Sequence, residues 1–363
     1  MKIAFFGSSL VSAYWNGAAT YYRGIIRGLN LLGHQVTFYE PDAFQRQQHR
    51  DMPDPDWATV RVYDATEDTV AQCLEQARRE ADCIVKASGV GVFDQLLERE
   101  VLLSRKPDTL AVFWDVDAPA TLDRMSADAS DPFRDCVPQY DAIFTYGGGD
   151  PVVQAYRRFG ARDCTPIYNA LDPSTHFPVE PDARFEGTLG FLGNRLPDRE
   201  ARVEEFFLNA AAEAPESTFL LGGNGWGDKP MPANVRYLGH VYTADHNAFN
   251  CTPLTVLNIS RESMARYGFS PATRVFEAAG AAACLITDRW EGIDQFFEPE
   301  REVLVADSGS DVAAIVRHLT PERAHEVGQN AYRRVLADHT YTHRARQAHA
   351  ILTGSTVAAG AVL

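Results

Sequence analysis

The run Phe269-Ser270-Pro271-Ala272-Thr273-Arg274-Val275-Phe276-Glu277-Ala278-Ala279-Gly280 reads as a turn and then the start of a helix, set between two apolar strand-like stretches. Arg274 and Glu277 are three residues apart and so share one helical face. A guanidinium aimed at a diphosphate, a helix N-terminus flanked by Ser270 and Thr273, and a carboxylate one turn on that accepts ribose hydroxyls together describe a pocket for a nucleotide-diphosphate sugar. Taken alone, the same residues also describe an Arg and Glu pair on the outside of a surface helix.

Further residues of this kind follow strand-like runs. Gly193-Asn194-Arg195 comes after one such run, with Arg199 a helical turn further; glycine lets main chain approach a ligand and arginine at a strand end can hold phosphate. Gly239-His240-Val241-Tyr242 can offer main-chain groups to a base edge, and Asn258-Ile259-Ser260-Arg261 brings a second arginine toward Arg274. Each segment also reads as an ordinary strand end. Near the N-terminus, Gly7-Ser8-Ser9 and Asn16-Gly17 form a small-residue loop with room for an acceptor or a sugar, and Tyr146-Gly147-Gly148 follows a later strand. Asp115 and Asp117, two residues apart at a strand end, can serve as divalent-cation ligands, as a general base for an acceptor hydroxyl, or as a cap for the helix that Pro119 helps to start. His49, in a polar loop, stands behind them as a further base candidate. His339 and His343 have metal-ligand spacing but lack the HExxH glutamate and a third ligand, and read as a solvated helix end. The sequence has neither a GxSxG elbow nor a GxGxxG or GxxxxGK[ST] order, which argues against serine hydrolases, dinucleotide oxidoreductases and P-loop NTPases.

The elements that must position these residues alternate short apolar runs with helical periodicity, the pattern of crossover units and parallel sheets. The strands expected in a first series are 2–6, 35–39, 83–86, 109–113 and 142–145. A second series restarts with 187–192 and continues through 218–221, 235–238, 254–259, 283–287 and 303–306. The fold class is therefore α/β, with two Rossmann-like, doubly wound parallel-sheet domains facing across a cleft. Ligands of such sheets sit outside the carboxyl ends of the strands, where strand order reverses. The boundaries read as an N-terminal domain over 1–170, a proline-bearing linker over 171–186, a C-terminal domain over 187–340, a helix over 341–354 that can cross back to the first domain, and a frayed tail over 355–363.

Composition narrows the classes. The 34 basic and 49 acidic residues leave a formal charge of -15, which disfavours general binding to nucleic acid or anionic membrane. Six cysteines without CxxC spacing read as thiols in a reducing compartment. The opening Met1–Gly7 is too short and too weakly charged for a secretory signal, and no later run nears the roughly 18 apolar residues of a membrane span, so the expected location is the cytoplasm.

With these residues in view, the chain resembles the CgeB-like glycosyltransferases. The likeness is carried by Gly268 through Gly280 followed by Leu285-Ile286-Thr287-Asp288, by Gly193-Asn194-Arg195, Gly239-His240-Val241 and Asp338-His339-Thr340-Tyr341, and upstream by Gly7-Ser8-Ser9, Asn16-Gly17, Arg50-Asp51, Trp114 through Pro119 and Tyr146-Gly147-Gly148. It spans roughly residues 1 to 350. The resemblance implies a GT-B architecture with the donor held by the second domain, the acceptor by the first, and no obligatory metal. It implies that Glu277 binds ribose, Arg274 and Arg195 the diphosphate, and the main chain around Val241 the base. Many retaining members of this fold carry a second glutamate eight residues before the one matching Glu277; here that position is Phe269. The implied activity is transfer of a sugar from a nucleotide diphosphate, UDP foremost, to an acceptor that the sequence does not name: a small molecule, peptide, surface polymer or modified base. A nucleotide-sugar epimerase and an inactive sugar-nucleotide or partner-binding relative are the alternatives.

Overall fold

The computed structural model describes residues 1–355, which divide into two compact α/β units. One is Met1–Tyr168 together with residues 341–355; the other is Asn169–Thr340. The expected frayed tail lies, beyond Ser355, outside the described residues.

The first unit is built on seven parallel strands: β1 (Lys2–Phe6), β2 (Gln35–Asp42), β3 (Thr59–Asp64), β4 (Cys83–Ala87), β5 (Leu110–Asp115), β6 (Ala142–Thr145) and β7 (Cys164–Pro166), in the order β3-β2-β1-β4-β5-β6-β7. β1, β4 and β5 are buried almost throughout, as expected of parallel strands covered on both faces. Lys86 is the exception in composition: fully buried in β4, it places Nζ 2.5 Å from Asp94. Order reverses between β1 and β4, so the loops after these strands flank the switch point.

The helix Ala19–Leu31 covers this sheet, and the helix Tyr341–Thr353 packs against it in turn. Two glycines four apart make that approach possible: a Cβ on Gly24 would lie 2.2 Å from the Tyr341 ring, and one on Gly28 2.5 Å from the Ala345 Cβ. At the far end of the same contact His34 Nε2 lies 2.7 Å from His349 Nδ1.

The second unit holds six parallel strands: β8 (Leu189–Leu192), β9 (Phe219–Gly222), β10 (Val235–Gly239), β11 (Thr255–Asn258), β12 (Leu285–Asp288) and β13 (Leu304–Ala306), in the order β10-β9-β8-β11-β12-β13. Its switch point lies between β8 and β11. Phe191, Phe207, Phe219, Leu221, Leu257 and Ile286 belong to one core. The helical stretch from Glu200 to Glu213 contains a π-turn over Glu204–Asn209, which carries the consecutive buried side chains Phe206, Phe207 and Leu208.

Each strand expected from the sequence is present. β3 and β7 were not expected, and both are sheet edges. β3 has only Tyr63 buried, and β7 is three residues long and ends in Pro166, a residue that sheets tolerate at their margins. The stretch read as a linker packs on the second unit. Leu171 N donates to the His339 carbonyl (2.8 Å), Val179 N to Cys251 Sγ (3.4 Å) and Asp182 N to Thr252 Oγ1 (2.9 Å).

Two stability predictions follow from the first unit. Gly24→Ala forces a methyl into the Tyr341 ring and should cost about 1–3 kcal/mol, read as a lower melting temperature. Burial, the N-terminal ammonium and His349 push the His34 pKa down from 6.5 to about 4. A proton that the unfolded chain accepts below 6.5 is refused by the folded chain until about 4, so stability is complete above this window and lost as pH falls through it. Melting curves from pH 7 to 4 should show this decline, and His34→Gln should make it shallower.

Candidate functional site

In the second unit the loops after β8, β9 and β11 fold against one another at the switch point. Gly193 N donates to the Gly222 carbonyl (2.9 Å) and Trp226 Nε1 to the Gly193 carbonyl (2.8 Å). Gly223, at φ 120°, lies so close that a Cβ would sit 2.2 Å from the Gly193 oxygen. Gly193 in turn leaves the space that Arg199 occupies, since a Cβ there would lie 2.8 Å from an Arg199 terminal nitrogen.

The arginines around this loop divide into two kinds. Arg195 is engaged by protein carboxylates, at 2.7 Å from Glu200 and 3.0 Å from Asp228. Arg202 donates to Asp288 at 2.6 Å, and buried Asp288 also accepts from Ser260 N (3.0 Å), fastening the end of β11 to the end of β12. Arg261 Nε donates to Asp198 at 2.5 Å. Arg199 and Arg274 differ. Arg199 Nε is buried with no hydrogen-bond partner, and Arg274 has neither an ion pair nor a hydrogen bond among the described residues. Burial, then the positive charge of Arg274, with Arg261 adding to it against Asp198, lowers the Arg199 pKa to about 10; burial also lowers that of Arg274, opposed by Glu277. Two adjacent, half-buried guanidiniums, neither hydrogen-bonded to a carboxylate, form a site suited to an anion.

Arg274 and Glu277 lie on the helix Thr273–Gly280, whose N-cap, Ala272, supplies no side-chain cap. Buried Ser270 donates to the Gly268 carbonyl (2.9 Å), and Asn169 donates to the Pro271 carbonyl (3.3 Å), fixing the turn that leads into the helix. Phe269 takes a left-handed backbone (φ 46°), with its N–H on the Glu291 carbonyl (2.6 Å) and its ring against Gly292. The Glu277 carboxylate lies 3.8 Å from His176 Nε2. His246 is close by: its Nε2 donates to the Val241 carbonyl (3.4 Å), and burial lowers its pKa, with Arg274 and His176 adding to the effect and Glu277 opposing it. Val241 is itself buried, His240 Nδ1 is 3.3 Å from Asn224 Nδ2, and Tyr242 stands exposed with its ring edge-on to His240.

The structure thus brings Gly193, Arg199, Arg261, Arg274, Glu277 and the Val241 main chain to one end of one sheet, with Asn194 and Arg195 engaged in the loop: Asn194 Oδ1 accepts from Asn224 N (2.9 Å). His176 and His246 were not legible as site residues. Each is a lone histidine without motif spacing, and only the packing of residues 172–177 and of the helix His246–Cys251 brings them to Glu277.

In the first unit the small-residue loop after β1 is largely self-satisfied. Ser8 Oγ donates to Asn16 Oδ1 (2.9 Å), Asn16 Nδ2 donates to the carbonyls of Ser9 (2.9 Å) and Ser12 (3.0 Å), and buried Glu40 accepts from Ser9 Oγ and Leu10 N. Gly7 packs on the Phe38 ring, whereas Gly17 has open space around its Cα. Gly148, left-handed at φ 92°, presses against Val152, next to buried Gly147 and a Tyr146 ring edge-on to Tyr21. The aspartate pair separates in role. Asp115 is fully buried and accepts from Ser88 Oγ (2.7 Å), Tyr156 Oη (2.5 Å), Asp117 N (3.0 Å) and Thr121 Oγ1 (3.2 Å), so its carboxylate organises the helix start and has no room to take an acceptor proton. Asp117 is exposed and makes no side-chain cap to the helix Ala118–Ala127. His49 is exposed and stacks on Tyr14 at 4.0 Å. Among the described residues no group of three or more His, Cys, Asp or Glu is placed to hold a metal ion.

Residues 199–350 match the family model described as glycosyl transferase-like. No curated protein matches the chain in sequence. Solved structures match along its whole length. A sucrose-phosphate synthase from Thermosynechococcus elongatus has 13% identity and a TM-score of 0.68, with 98% of each chain covered. Anabaena HepE in complex with UDP-glucose has 14% identity and a TM-score of 0.66, covering 98% of this chain and 100% of that one. An alpha-glucosyltransferase in complex with UDP-glucose and DNA containing an abasic site has 12% identity and a TM-score of 0.71, covering 97% and 99%. At these identities the likeness speaks for the fold, which is GT-B: two parallel-sheet α/β domains, of seven and six strands. The fold expectation is borne out.

In this GT-B chain the unpaired arginines give a test that needs no substrate. Arg199→Met should raise ligand-free stability by about 1 kcal/mol, because it removes a half-buried charge on which burial and the repulsion of Arg274 outweigh the attraction of Asp198. Inorganic pyrophosphate should raise the melting temperature of the unmodified protein and raise that of Arg199→Met or Arg274→Met markedly less, as followed by thermal-shift titration.

Proposed function

We propose that the protein is a CgeB-like glycosyltransferase that transfers a sugar from a nucleotide diphosphate, UDP foremost, to an acceptor hydroxyl or amine, without an obligatory metal. The observation that carries this reading is the pair of half-buried guanidiniums, Arg199 and Arg274, that no carboxylate hydrogen-bonds, next to Glu277 at the switch point of the second unit. A diphosphate is the anion of matching charge and reach, and an adjoining ribose offers hydroxyls to a carboxylate. The glycosyl transferase-like match over 199–350 and the UDP-glucose complexes among proteins of the same fold support this reading.

In the proposed reaction the bond between the anomeric carbon and the diphosphate breaks, and its electron pair stays on the phosphate oxygen. The acceptor atom bonds to the anomeric carbon and gives up its proton. Arg199 and Arg274 stabilise charge as it builds on the departing diphosphate, a contribution that grows toward the transition state and therefore speeds the chemistry. Arg195, held by two carboxylates, supports the shape of the loop. In the first unit, exposed Asp117 and His49 are the groups able to take the acceptor proton, and Asp115 positions the backbone that carries Asp117. Six cysteines free of disulfides fit a reducing, cytoplasmic setting, and no helix of the described residues is long and apolar enough to cross a membrane.

Calorimetric titration with UDP and turnover of UDP-sugars against a cell-extract acceptor test the reading. Arg274→Ala should lower turnover by about 10²–10³, and Glu277→Ala should weaken nucleotide binding by about tenfold. Undiminished turnover in both variants would remove this site from the mechanism.

A further inference from the structure

His176 lies in the stretch that the sequence marks as a linker, yet it is among the more deeply buried histidines of the second unit, with 7% of its surface exposed. The packing that puts it there is specific. Gly280, one helical turn beyond Glu277, lets residues 171–176 press onto the helix: a Cβ at this position would lie 2.3 Å from Leu171 Cδ1 and 3.1 Å from the His176 carbonyl oxygen. Asn247 grips the same stretch from the other side, its Nδ2 donating to the Thr175 carbonyl (3.0 Å) and its Oδ1 accepting from Phe177 N (3.4 Å).

The contacts around the ring admit a tautomer with its proton on Nε2. The Asp172 carbonyl already accepts the backbone N–H groups of Thr175 and His176, each at 3.1 Å. The Thr175 hydroxyl can donate to that oxygen (3.1 Å) or turn its proton to His176 Nδ1 (2.9 Å). With the hydroxyl proton on Nδ1, the ring carries its own proton on Nε2, facing Glu277. His246, the neighbouring imidazole, has its Nε2 committed to the Val241 carbonyl.

The 3.8 Å between His176 Nε2 and Glu277 Oε1 is too long for a good direct hydrogen bond, but an oxygen about 2.8 Å from each fits between them. That oxygen must donate to the carboxylate and accept from the imidazole. A hydroxyl does both, as does the water it would displace; a phosphate oxygen or a carbonyl of a base has no proton to give.

We propose that His176 is a specificity-determining residue of the donor site: with Glu277 it brackets one hydroxyl of the nucleotide's ribose, so that the protein selects ribonucleotides over the corresponding deoxynucleotide. This rests on the nucleotide-sugar reading above and adds to it a residue and a preference. A site built to satisfy a hydroxyl from both sides rejects the analogue lacking it, because two buried polar groups then lose their partner.

Isothermal titration calorimetry tests the proposal with UDP, GDP and ADP and with the 2′-deoxy and 3′-deoxy forms of whichever binds, on the unmodified protein, His176→Ala and His176→Gln. The unmodified protein should bind one of the two deoxy forms on the order of tenfold more weakly than the parent. His176→Ala should weaken the parent nucleotide by about tenfold and leave that deoxy form nearly unchanged, which collapses the preference. His176→Gln, which keeps an N–H donor, should restore part of it. Parallel losses for parent and deoxy forms in His176→Ala, or no loss in either, would overturn the role of His176 and leave the donor reading standing. Failure of all three parent nucleotides to bind the unmodified protein would overturn both.

Discussion

Two half-buried positive charges that no carboxylate hydrogen-bonds, Arg199 and Arg274, are the constraint around which the site of the second unit is organised. Other arginines of that unit are matched by carboxylates: Arg202 by Asp288, Arg195 by Glu200 and Asp228, Arg184 by Asp182 and Asp245. Arg199 and Arg274 repel each other in a partly desolvated corner, an arrangement that opposes folding unless the surrounding structure holds it. The neighbouring contacts supply that hold. Asp288 joins β11 to β12, Gly223 and Gly193 bring two loops to backbone contact, and Asn169 secures the turn before the helix that bears Arg274. Stability given up at this corner is available as affinity for an anion, the usual relation between a strained site and its ligand.

The first unit solves the opposite problem. Its loops at the switch point carry polar groups that need partners in a buried setting, and they find them in one another. Glu40 gathers Ser9, Leu10 and Gln47; Asn16 spans the loop; Asp115 collects four donors. A loop so fully satisfied is rigid and presents few unmet groups of its own. What it leaves on the outside are Gly17, Asp117, His49 and the aromatic pair Tyr14 and Trp15.

The fold was legible because parallel strands covered on both faces must be continuously apolar, and runs such as Ile3–Phe6, Leu110–Trp114 and Leu285–Ile286 announce themselves. Edge strands carry no such obligation, which is why β3, with only Tyr63 buried, left little trace. The helix bearing Arg274 and Glu277 was legible from spacing alone. The division of labour between Arg195 and Arg199 was not, since both sit at plausible positions and only the placement of Glu200 and Asp228 decides which cation is already engaged. In the same way Asp115 and Asp117 are equivalent in sequence and differ by burial. His176 was hidden for a further reason: prolines at 173 and 178 signal irregular backbone, and irregular backbone says nothing about what it packs on.

The return of Tyr341–Thr353 to the first unit has a consequence for how the chain is made. Tyr341 and Ala345 fill the two glycine notches of Ala19–Leu31, yet they are translated more than three hundred residues after them. The first sheet must therefore wait on the ribosome with that groove unfilled while the whole of the second, contiguous unit emerges and can fold. Maturation of the N-terminal unit is thus tied to completion of the C-terminal one, and a nascent chain released early would carry an exposed apolar furrow recognisable to chaperones and proteases as unfinished.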